Sequence, residues 1–187
     1  LSDREGSENV FIAKPDGSDV KQLSKDARNW FASPAWTPDG EYVIASRRTS
    51  NFGNFDLWMY HVQGGSGVAI AGSAAAAPAG PQQQQRPSAL GAVSSPDGRY
   101  FYYARKATGG IPYNATLPMW QTARRDRITG DEDVLTQAVG SAMRPLVSPD
   151  GARLVYGTRH ETETGLRIRD LKTGEDRWIK YPVTRDD

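Results

Sequence analysis

Residues 33–48 read SPAWTPDGEYVIASRR, residues 91–106 read GAVSSPDGRYFYYARK, and residues 144–160 read RPLVSPDGARLVYGTRH. Each stretch has a small or apolar beginning, then Pro-Asp-Gly, then a run of β-forming residues that ends with basic side chains. The three turn glycines, Gly40, Gly98 and Gly151, lie 58 and 53 residues apart. Self-similarity at such a period indicates stacked supersecondary units that bury their apolar faces against one another. It favours a binding scaffold over a self-contained enzyme.

The Pro-Asp-Gly triplets predict tight turns between strands. Proline fixes φ at the first central position, aspartate suits the second, and glycine adopts the left-handed conformation that closes a hairpin. The residues after each turn, 41–46, 99–104 and 153–158, carry large side chains without clean alternation of apolar and polar types. This pattern predicts sheets that are packed on both faces. The predicted core comprises Trp36, Tyr42, Ile44, Leu57, Met59, Phe101, Tyr103, Leu154, Tyr156, Ile168 and Trp178.

A second repeated unit follows each of these strands. Its four copies begin at Asn9, Asp56, Met119 and Leu166, and each contains an apolar strand, a glycine-bearing turn and a shorter strand. Together the two units predict an all-β chain with half a sheet followed by three complete four-stranded antiparallel sheets. Roughly 40 to 50 residues per four strands is the spacing of β-propeller blades.

The segment SDREGSENVFIAKPDGSDVKQLS at residues 2–24, followed by SPAWTPDGEYVIAS at 33–46, resembles the TolB-type, WD-like β-propeller repeat. A blade of that family contains Ser-Asp-Arg-x-Gly and Asp-Gly-Ser, which match residues 2–6 and 16–18. The later repeats depart from the first motif at residues 46–48, 104–106 and 158–160. The resemblance implies a non-enzymatic interaction protein of the bacterial periplasm, with protein partners at the propeller faces.

We interpret the chain as a single partial β-propeller domain. The predicted blades occupy approximately residues 1–25 (partial), 32–71, 90–137 and 142–182, with a low-complexity Ala/Pro/Gln insertion at 72–89 that we expect to be a mobile loop. A second irregular segment, 107–118, lies within the predicted blade 90–137. Closed propellers carry about four to eight blades, so the repeats predict a fragment of a larger propeller.

The composition argues against several kinds of function. The formal net charge is only +1, which does not suit a nucleic-acid partner. The chain contains no cysteine, hence no disulfide and no thiolate metal site. Its two histidines, His61 and His160, have neither metal-binding spacing nor a nucleophile motif beside them. We therefore predict no catalytic residue, no metal ligand and no cofactor, and we expect no membrane insertion because no apolar run is long enough to span a bilayer.

Basic residues recur after the second strand of each repeat, and they form the candidate site. Equivalent loops of successive blades lie on one propeller face, so these side chains would raise the positive potential around one opening. The hypothesis is a site for a protein or peptide partner that carries acidic groups. The alternative is that the side chains pair with Asp or Glu of the adjacent blade, as surface charges commonly do. The candidate partner-binding residues are Arg4, Arg47, Arg48, Arg105, Lys106, Arg159 and His160.

Two classes of function remain open from the sequence. In the first, the chain is a non-catalytic scaffold for protein–protein interaction, similar to the TolB component of the Tol biopolymer transport system. In the second, it is an accessory propeller of a larger hydrolase, either an amidohydrolase or a peptidase of the prolyl-oligopeptidase or tricorn type. Because a partial array leaves apolar blade faces without neighbours, we also expect self-association through the open ends of the propeller.

Overall fold

A computed structural model describes residues 1–25, 28–49, 54–72, 87–106, 120–137, 141–160 and 163–180. The predicted loop at 72–89 and the irregular segment at 107–118 lie largely or wholly outside these residues. Regular structure in the described part of the chain consists of β-strands. None of the described residues belongs to a helix with the length and apolar character needed to cross a membrane.

The strands follow the two repeated sequence units closely. Their bounds are β1 (Phe11–Ile12), β2 (Lys21–Gln22), β3 (Trp30–Trp36), β4 (Tyr42–Arg48), β5 (Asp56–His61), β6 (Val68–Ala71), β7 (Ala89–Ser94), β8 (Tyr100–Lys106), β9 (Trp120–Asp126), β10 (Glu132–Val134), β11 (Met143–Val147), β12 (Arg153–His160), β13 (Glu163–Asp170) and β14 (Asp176–Lys180).

Consecutive strands pair with each other in every sheet. Strands β3 to β6, β7 to β10 and β11 to β14 form three four-stranded sheets in chain order, and β1 pairs with β2 in a two-stranded sheet. The pairing is antiparallel wherever the register is resolved, for example Ile44 opposite Met59 and Tyr156 opposite Arg167. The prediction of half a sheet and three four-stranded sheets is therefore confirmed.

The three Pro-Asp-Gly turns have one geometry. The amide of the turn glycine donates to the carbonyl of Thr37, Ser95 or Ser148 at 2.8–2.9 Å, and the φ angles of Gly40, Gly98 and Gly151 are 71°, 72° and 71°. The hydroxyl that opens each turn also accepts the amide hydrogen five residues later, at 2.9–3.1 Å. The same hydroxyl donates to the turn aspartate. Each turn is thus closed by its own side chains as well as its backbone.

The chain divides into two compact units, Leu1–Ala92 and Val93–Asp187, with the boundary inside β7. In the first unit, Val10 and Leu23 of the partial sheet pack on Phe31, Val43 and Tyr60 of the sheet β3–β6. Glu8 fastens this contact, since its carboxylate accepts the amide hydrogen of Phe31 at 2.6 Å. The partial sheet therefore covers one face of the first complete sheet.

The second unit has a separate core between its two four-stranded sheets. Tyr102 of β8 packs with Ala142, Leu154 and Tyr156, all from the last sheet or the residue that precedes it. Half-buried side chains from both sheets surround this cluster: Val93, Tyr100, Leu135, Val147 and Leu171. Four consecutive residues are buried in the middle of both β4 and β8, which agrees with sheets covered on both faces.

Most of the predicted core lies inside the molecule, with one error. Ile44, Leu57, Phe101, Tyr103, Leu154 and Tyr156 are buried, and Tyr42, Met59, Ile168 and Trp178 are half-buried. The prediction that Trp36 belongs to the core is wrong, because 54% of its surface is exposed. It is the last residue of β3, an edge strand that pairs only with β4, and it lies directly before the turn.

Candidate functional site

The basic candidate residues of the three complete sheets share one position. Arg47 and Arg48 end β4, Arg105 and Lys106 end β8, and Arg159 and His160 end β12. Each pair therefore lies at the end of the second strand of its own sheet, opposite to the end that carries the Pro-Asp-Gly turn.

The first pair is built into a cluster of aromatic rings. The guanidinium of Arg47 lies 4.1 Å from the ring centroid of Trp58, on the neighbouring strand. Arg48 lies on the other face of the strand, 5.6 Å from the ring of Trp30 and 5.0 Å from that of Phe55. We call Arg47, Arg48, Trp30, Phe55 and Trp58 the cation–aromatic cluster. Trp30 is 37% exposed, so the cluster reaches the surface.

Strand pairing explains why these side chains meet. Arg48 is the cross-strand partner of Trp30, and Ala45 is the partner of Trp58, so Arg47 and Trp58 lie on one face of the sheet. A guanidinium that stacks on aromatic rings keeps its charge, and its N–H groups bond in the plane of the group. The arrangement suits recognition of a carboxylate at the edge of the stacked guanidinium.

Arg4 occupies the corresponding hairpin of the partial sheet, between the paired residues Ser2 and Asn9. Its Nε donates to Oγ of Ser2 at 3.3 Å, and its guanidinium lies 5.2 Å from the ring of Phe11. This arginine, like Arg47 and Arg48, is held against an aromatic ring.

Arg105 has a different environment. Its Nε lies 2.7 Å from Oε1 of Glu132, an acidic residue of the same sheet rather than of an adjacent blade. Glu132 also accepts a hydrogen bond from the hydroxyl of Tyr103. Burial raises the pKa of the Tyr103 phenol, and donation to the carboxylate raises this pKa further. Arg105 therefore serves an ion pair, while its neighbour Lys106 is exposed.

The structure describes the backbone of the last basic pair, Arg159 and His160, but not its side chains. Arg159 pairs through its backbone with Thr164, and His160 with Glu163. The side chains of Arg159 and His160 lie outside the described part of the structure. The hypothesis of a shared basic surface remains a prediction, for these two residues as for the other five candidates.

The side chains that contact the basic candidate residues could not be identified from the sequence motifs. The sequence motifs did not identify Trp30, Phe55 and Trp58 as the rings beside the arginines. They also did not identify Glu132 as the carboxylate beside Arg105. A signal for the carboxylate was nevertheless present. Tyr103 and Tyr156 each lie five residues after a turn glycine, and Glu132 and Asp176 each lie two residues after the glycines of the later hairpins, Gly130 and Gly174.

His61, the last residue of β5, has a structural role. Its Nδ1 accepts the amide hydrogen of Gln63 at 3.0 Å, and its ring packs edge-on against Tyr42 with centroids 4.8 Å apart. These contacts fix the imidazole at the hairpin that leaves β5.

Comparison with known proteins yields solved structures but no sequence family. No family model matches the chain, and no curated protein matches it. A puromycin-hydrolyzing peptidase of Mycobacterium tuberculosis is similar with a TM-score of 0.63 and 15% identity, over 95% of this chain and 25% of that one. A nidogen/laminin complex is similar with a TM-score of 0.63 and 10% identity, over 87% of this chain and 52% of that one.

TolB of Acinetobacter baumannii is also similar, with 21% identity over 97% of this chain and 50% of that one, at a TM-score of 0.47. The assignment of the fold does not depend on this last likeness. The chain thus spans about half or less of the length of these three proteins. The predicted fold class, an all-β chain of β-propeller blades, is confirmed.

Proposed function

We propose that this chain is part of a non-catalytic β-propeller scaffold that binds an acidic protein or peptide, similar in role to TolB and located in the bacterial periplasm. The cation–aromatic cluster is the observation that supports this proposal most directly. Arg47 and Arg48 bring two positive charges to one strand end, on opposite faces of the sheet, and each charge rests on aromatic rings. Protein interfaces are enriched in arginine, tryptophan and tyrosine, because these side chains combine apolar area with directed hydrogen bonds.

The ligand chemistry follows from the charges. A carboxylate placed at the edge of a stacked guanidinium gains a charge-assisted hydrogen bond, which is stronger than a bond between neutral groups. Arg4, which lies against the ring of Phe11, offers the same chemistry in the hairpin before β1. Lys106 adds a positive charge at the end of β8. Arg105 lies in an ion pair with Glu132.

Calorimetric titration with an oligoglutamate peptide tests the proposal, with an oligoglutamine peptide of equal length as the neutral control. We expect the glutamate peptide alone to bind, and binding to weaken as salt is added. The double variant Arg47→Ala/Arg48→Ala should bind at least about tenfold more weakly, since a hydrogen bond between charged groups contributes about 1.5–3 kcal/mol.

A matched control removes the same number of charges elsewhere. Arg127→Ala/Lys172→Ala changes two residues in the hairpins at the opposite strand ends, and this variant should bind like the parent chain. Arg47→Lys/Arg48→Lys keeps the charge but loses the planar, stacked group, and should bind more weakly than the parent. Equal affinity of the parent and of the double alanine variant would overturn the proposal.

The second candidate, an accessory propeller of a hydrolase, is supported by the likeness to peptidases. Prolyl endopeptidases match with a TM-score of 0.61 and 15% identity over 94% of this chain and 26% of theirs. Under this proposal the chain would position substrate for a catalytic domain elsewhere in a longer protein. The coding sequence after Asp187 distinguishes the two candidates, since a G-x-S-x-G elbow or an H-x-H metal motif would select the hydrolase.

A further inference from the structure

A groove lies between the two four-stranded sheets of the second unit, at the strand ends that carry the Pro-Asp-Gly turns. The turn before β8 contributes Pro96 and Asp97 to its lining, and the turn before β12 contributes Asp150 and Ala152. The two turns are adjacent, since a Cβ added at Gly151 would lie 3.6 Å from Cδ of Pro96. The groove has a volume of about 380 Å³, which is within the range of ligand sites in proteins. We call it the turn groove.

The inner part of the turn groove is apolar. Tyr102 lines it and is only 3% exposed, so this side chain lies at the base. Tyr100 and Leu171 also line the groove, and both are half-buried and pack against the core between the sheets. Pro96 and Ala152 are exposed and lie nearer the rim. A ligand in the groove would therefore contact aromatic, pyrrolidine and aliphatic surfaces together.

Hydrogen-bond donors lie beside this apolar surface. Arg124 lines the groove, with its guanidinium 4.8 Å from the ring centroid of Tyr100 and its Nη2 2.7 Å from Oδ2 of Asp133. The same guanidinium forms a hydrogen bond with the Tyr102 side chain. These contacts hold the group in place and use only part of its N–H donors. Lys172 adds an exposed ammonium group to the lining.

Two carboxylates supply acceptors at the rim. Oδ1 of Asp97 accepts the amide hydrogen of Arg99 at 3.0 Å, and Oδ1 of Asp150 accepts that of Ala152 at 2.9 Å. Within the described ranges, neither Oδ2 takes part in a hydrogen bond or an ion pair. Hydrogen bonds from the turn serines lower the pKa of both aspartates, so both are charged at neutral pH. The rim can therefore receive a positive group.

These three features together indicate one kind of ligand. Prolyl rings bind in grooves lined by aromatic side chains, and a polyproline II segment has no internal hydrogen bonds, so its carbonyl oxygens can accept from Arg124 and Lys172. Such a segment is already extended before it binds, which lowers the entropy cost. A basic side chain next to the proline can form charge-assisted hydrogen bonds with Asp97 or Asp150.

We propose that the turn groove binds an extended, proline-containing segment of a partner protein, with a basic residue next to the proline. The turn groove lies at the strand ends opposite to Arg105 and Lys106, and it takes a ligand of opposite charge. The inference therefore does not depend on the proposed function.

Calorimetric titration of the full chain with the end-blocked peptide Pro-Pro-Pro-Arg-Pro tests the proposal. The control peptide has alanine in place of each proline and keeps the arginine. We expect the alanine peptide to bind at least about tenfold more weakly, because it loses both the rings and the preformed conformation. Equal affinity of the two peptides, or no binding of the proline peptide, would overturn the proposal.

A substitution that fills the turn groove tests its location. Ala152→Phe places a ring in the groove at an exposed position, so circular dichroism should show a folded chain, and the proline peptide should bind at least about tenfold more weakly. The matched control is Glu41→Phe, which changes the residue after the turn glycine in the β3–β4 turn and should leave the affinity unchanged. Unchanged affinity of Ala152→Phe would show that the peptide binds elsewhere and would overturn the proposal.

Removal of the rim charges tests the role of the basic residue. Asp97→Asn/Asp150→Asn keeps an oxygen that can accept the hydrogen bonds of each turn but removes both charges, and should bind the peptide more weakly than the parent chain does. Asp39→Asn, in the β3–β4 turn, is the control. A peptide with glutamate in place of arginine should also bind more weakly, and equal binding of the arginine and glutamate peptides would refute the role of the acids. Binding of oligoglutamate should be unaffected by Ala152→Phe, which separates this test from that of the proposed function.

Discussion

The hydroxyl of Tyr156 donates a hydrogen bond of 2.5 Å to Oδ2 of Asp176, across the intervening strand β13. Arg167 binds the other carboxylate oxygen, with its Nε 2.8 Å from Oδ1. The sheet β7–β10 has a similar arrangement, in which Tyr103 and Arg105, both of its second strand, hold Glu132. In both sheets a single carboxylate thus connects the second strand to the fourth.

Removal of the phenol hydroxyl should destabilise the chain. We expect Tyr156→Phe to lower the free energy of unfolding by about 1–3 kcal/mol, because the carboxylate loses a donor in a half-buried place. Urea unfolding followed by circular dichroism measures the change. Tyr100→Phe is the control, since the ring of Tyr100 packs beside Arg124 and the substitution should cost less. Equal stability of both variants would refute a role for this hydrogen bond.

The same pairs predict the behaviour of the chain at alkaline pH. Burial, and then donation to a carboxylate, raise the pKa of Tyr103 and of Tyr156 above the ordinary value. A group whose pKa is higher in the folded chain stabilises it fully below the unfolded pKa of about 10, and this stability is lost as the pH rises toward the folded pKa. Stability should therefore fall above pH of about 10.

The double variant Tyr103→Phe/Tyr156→Phe tests the alkaline prediction. Its stability should depend less on pH in this range than that of the parent chain, although it starts lower at neutral pH. Urea unfolding at a series of pH values gives the stability, and absorbance of tyrosinate gives the ionisation. Parallel pH profiles for the two proteins would argue against the pKa shifts.

The turns predict a complementary effect in acid. Hydrogen bonds from Ser95 and Ser148 lower the pKa of Asp97 and Asp150. Such a group contributes stability above the unfolded pKa of about 3.9, and this contribution disappears as the pH falls through the lower, folded pKa. Ser95→Ala/Ser148→Ala should be less stable than the parent at neutral pH, and the two stabilities should converge in acid.

Ser94→Ala is the matched control for the turn hydroxyls. Ser94 adjoins Ser95, and its Oγ has no hydrogen-bond partner in the described structure. Its removal should leave the pH dependence of the melting temperature unchanged. If Ser94→Ala alters the acid profile as much as the double serine variant does, then the turn hydroxyls are not the cause.

A glycine substitution isolates the cost of the turn backbone. Gly98 has a φ of 72°, and no atom lies within 4 Å of the place that a Cβ would take. Gly98→Ala should therefore cost about 1 kcal/mol through backbone strain alone. The control is Gly157→Ala in β12, where the nearest atom lies at an ordinary 3.6 Å. Thermal unfolding compares them, and a Gly98→Ala chain that melts like the parent would contradict the turn geometry.

The sequence was sufficient to predict features that depend on neighbouring residues. A Pro-Asp-Gly triplet determines its own turn, and the strands after Gly40, Gly98 and Gly151 follow from local composition, so the sheets could be predicted. The exposure of Trp36 could not, because it depends on which residues of other strands reach the end of β3.

The side-chain partners of the arginines at the candidate site could not be predicted from neighbouring residues in the sequence. Arg105 and Glu132 are 27 residues apart and lie on strands separated by β9, so their contact depends on two strand registers. The stacking of Arg48 on Trp30 depends on the register of β3, which shifts between Ala32 and Ala35. A single residue of slip would have placed each arginine on the wrong face of its sheet.

The self-contained turns also bear on the order of events in folding. The hydroxyl of Thr37 reaches the amide of Tyr42, only five residues away, and the other two turns repeat this span. Such short-range contacts lose little chain entropy on closing, and each sheet then grows by adding the strand next in sequence. The chain therefore holds three equivalent starting points for folding, and damage at one turn leaves the other two hairpins free to nucleate.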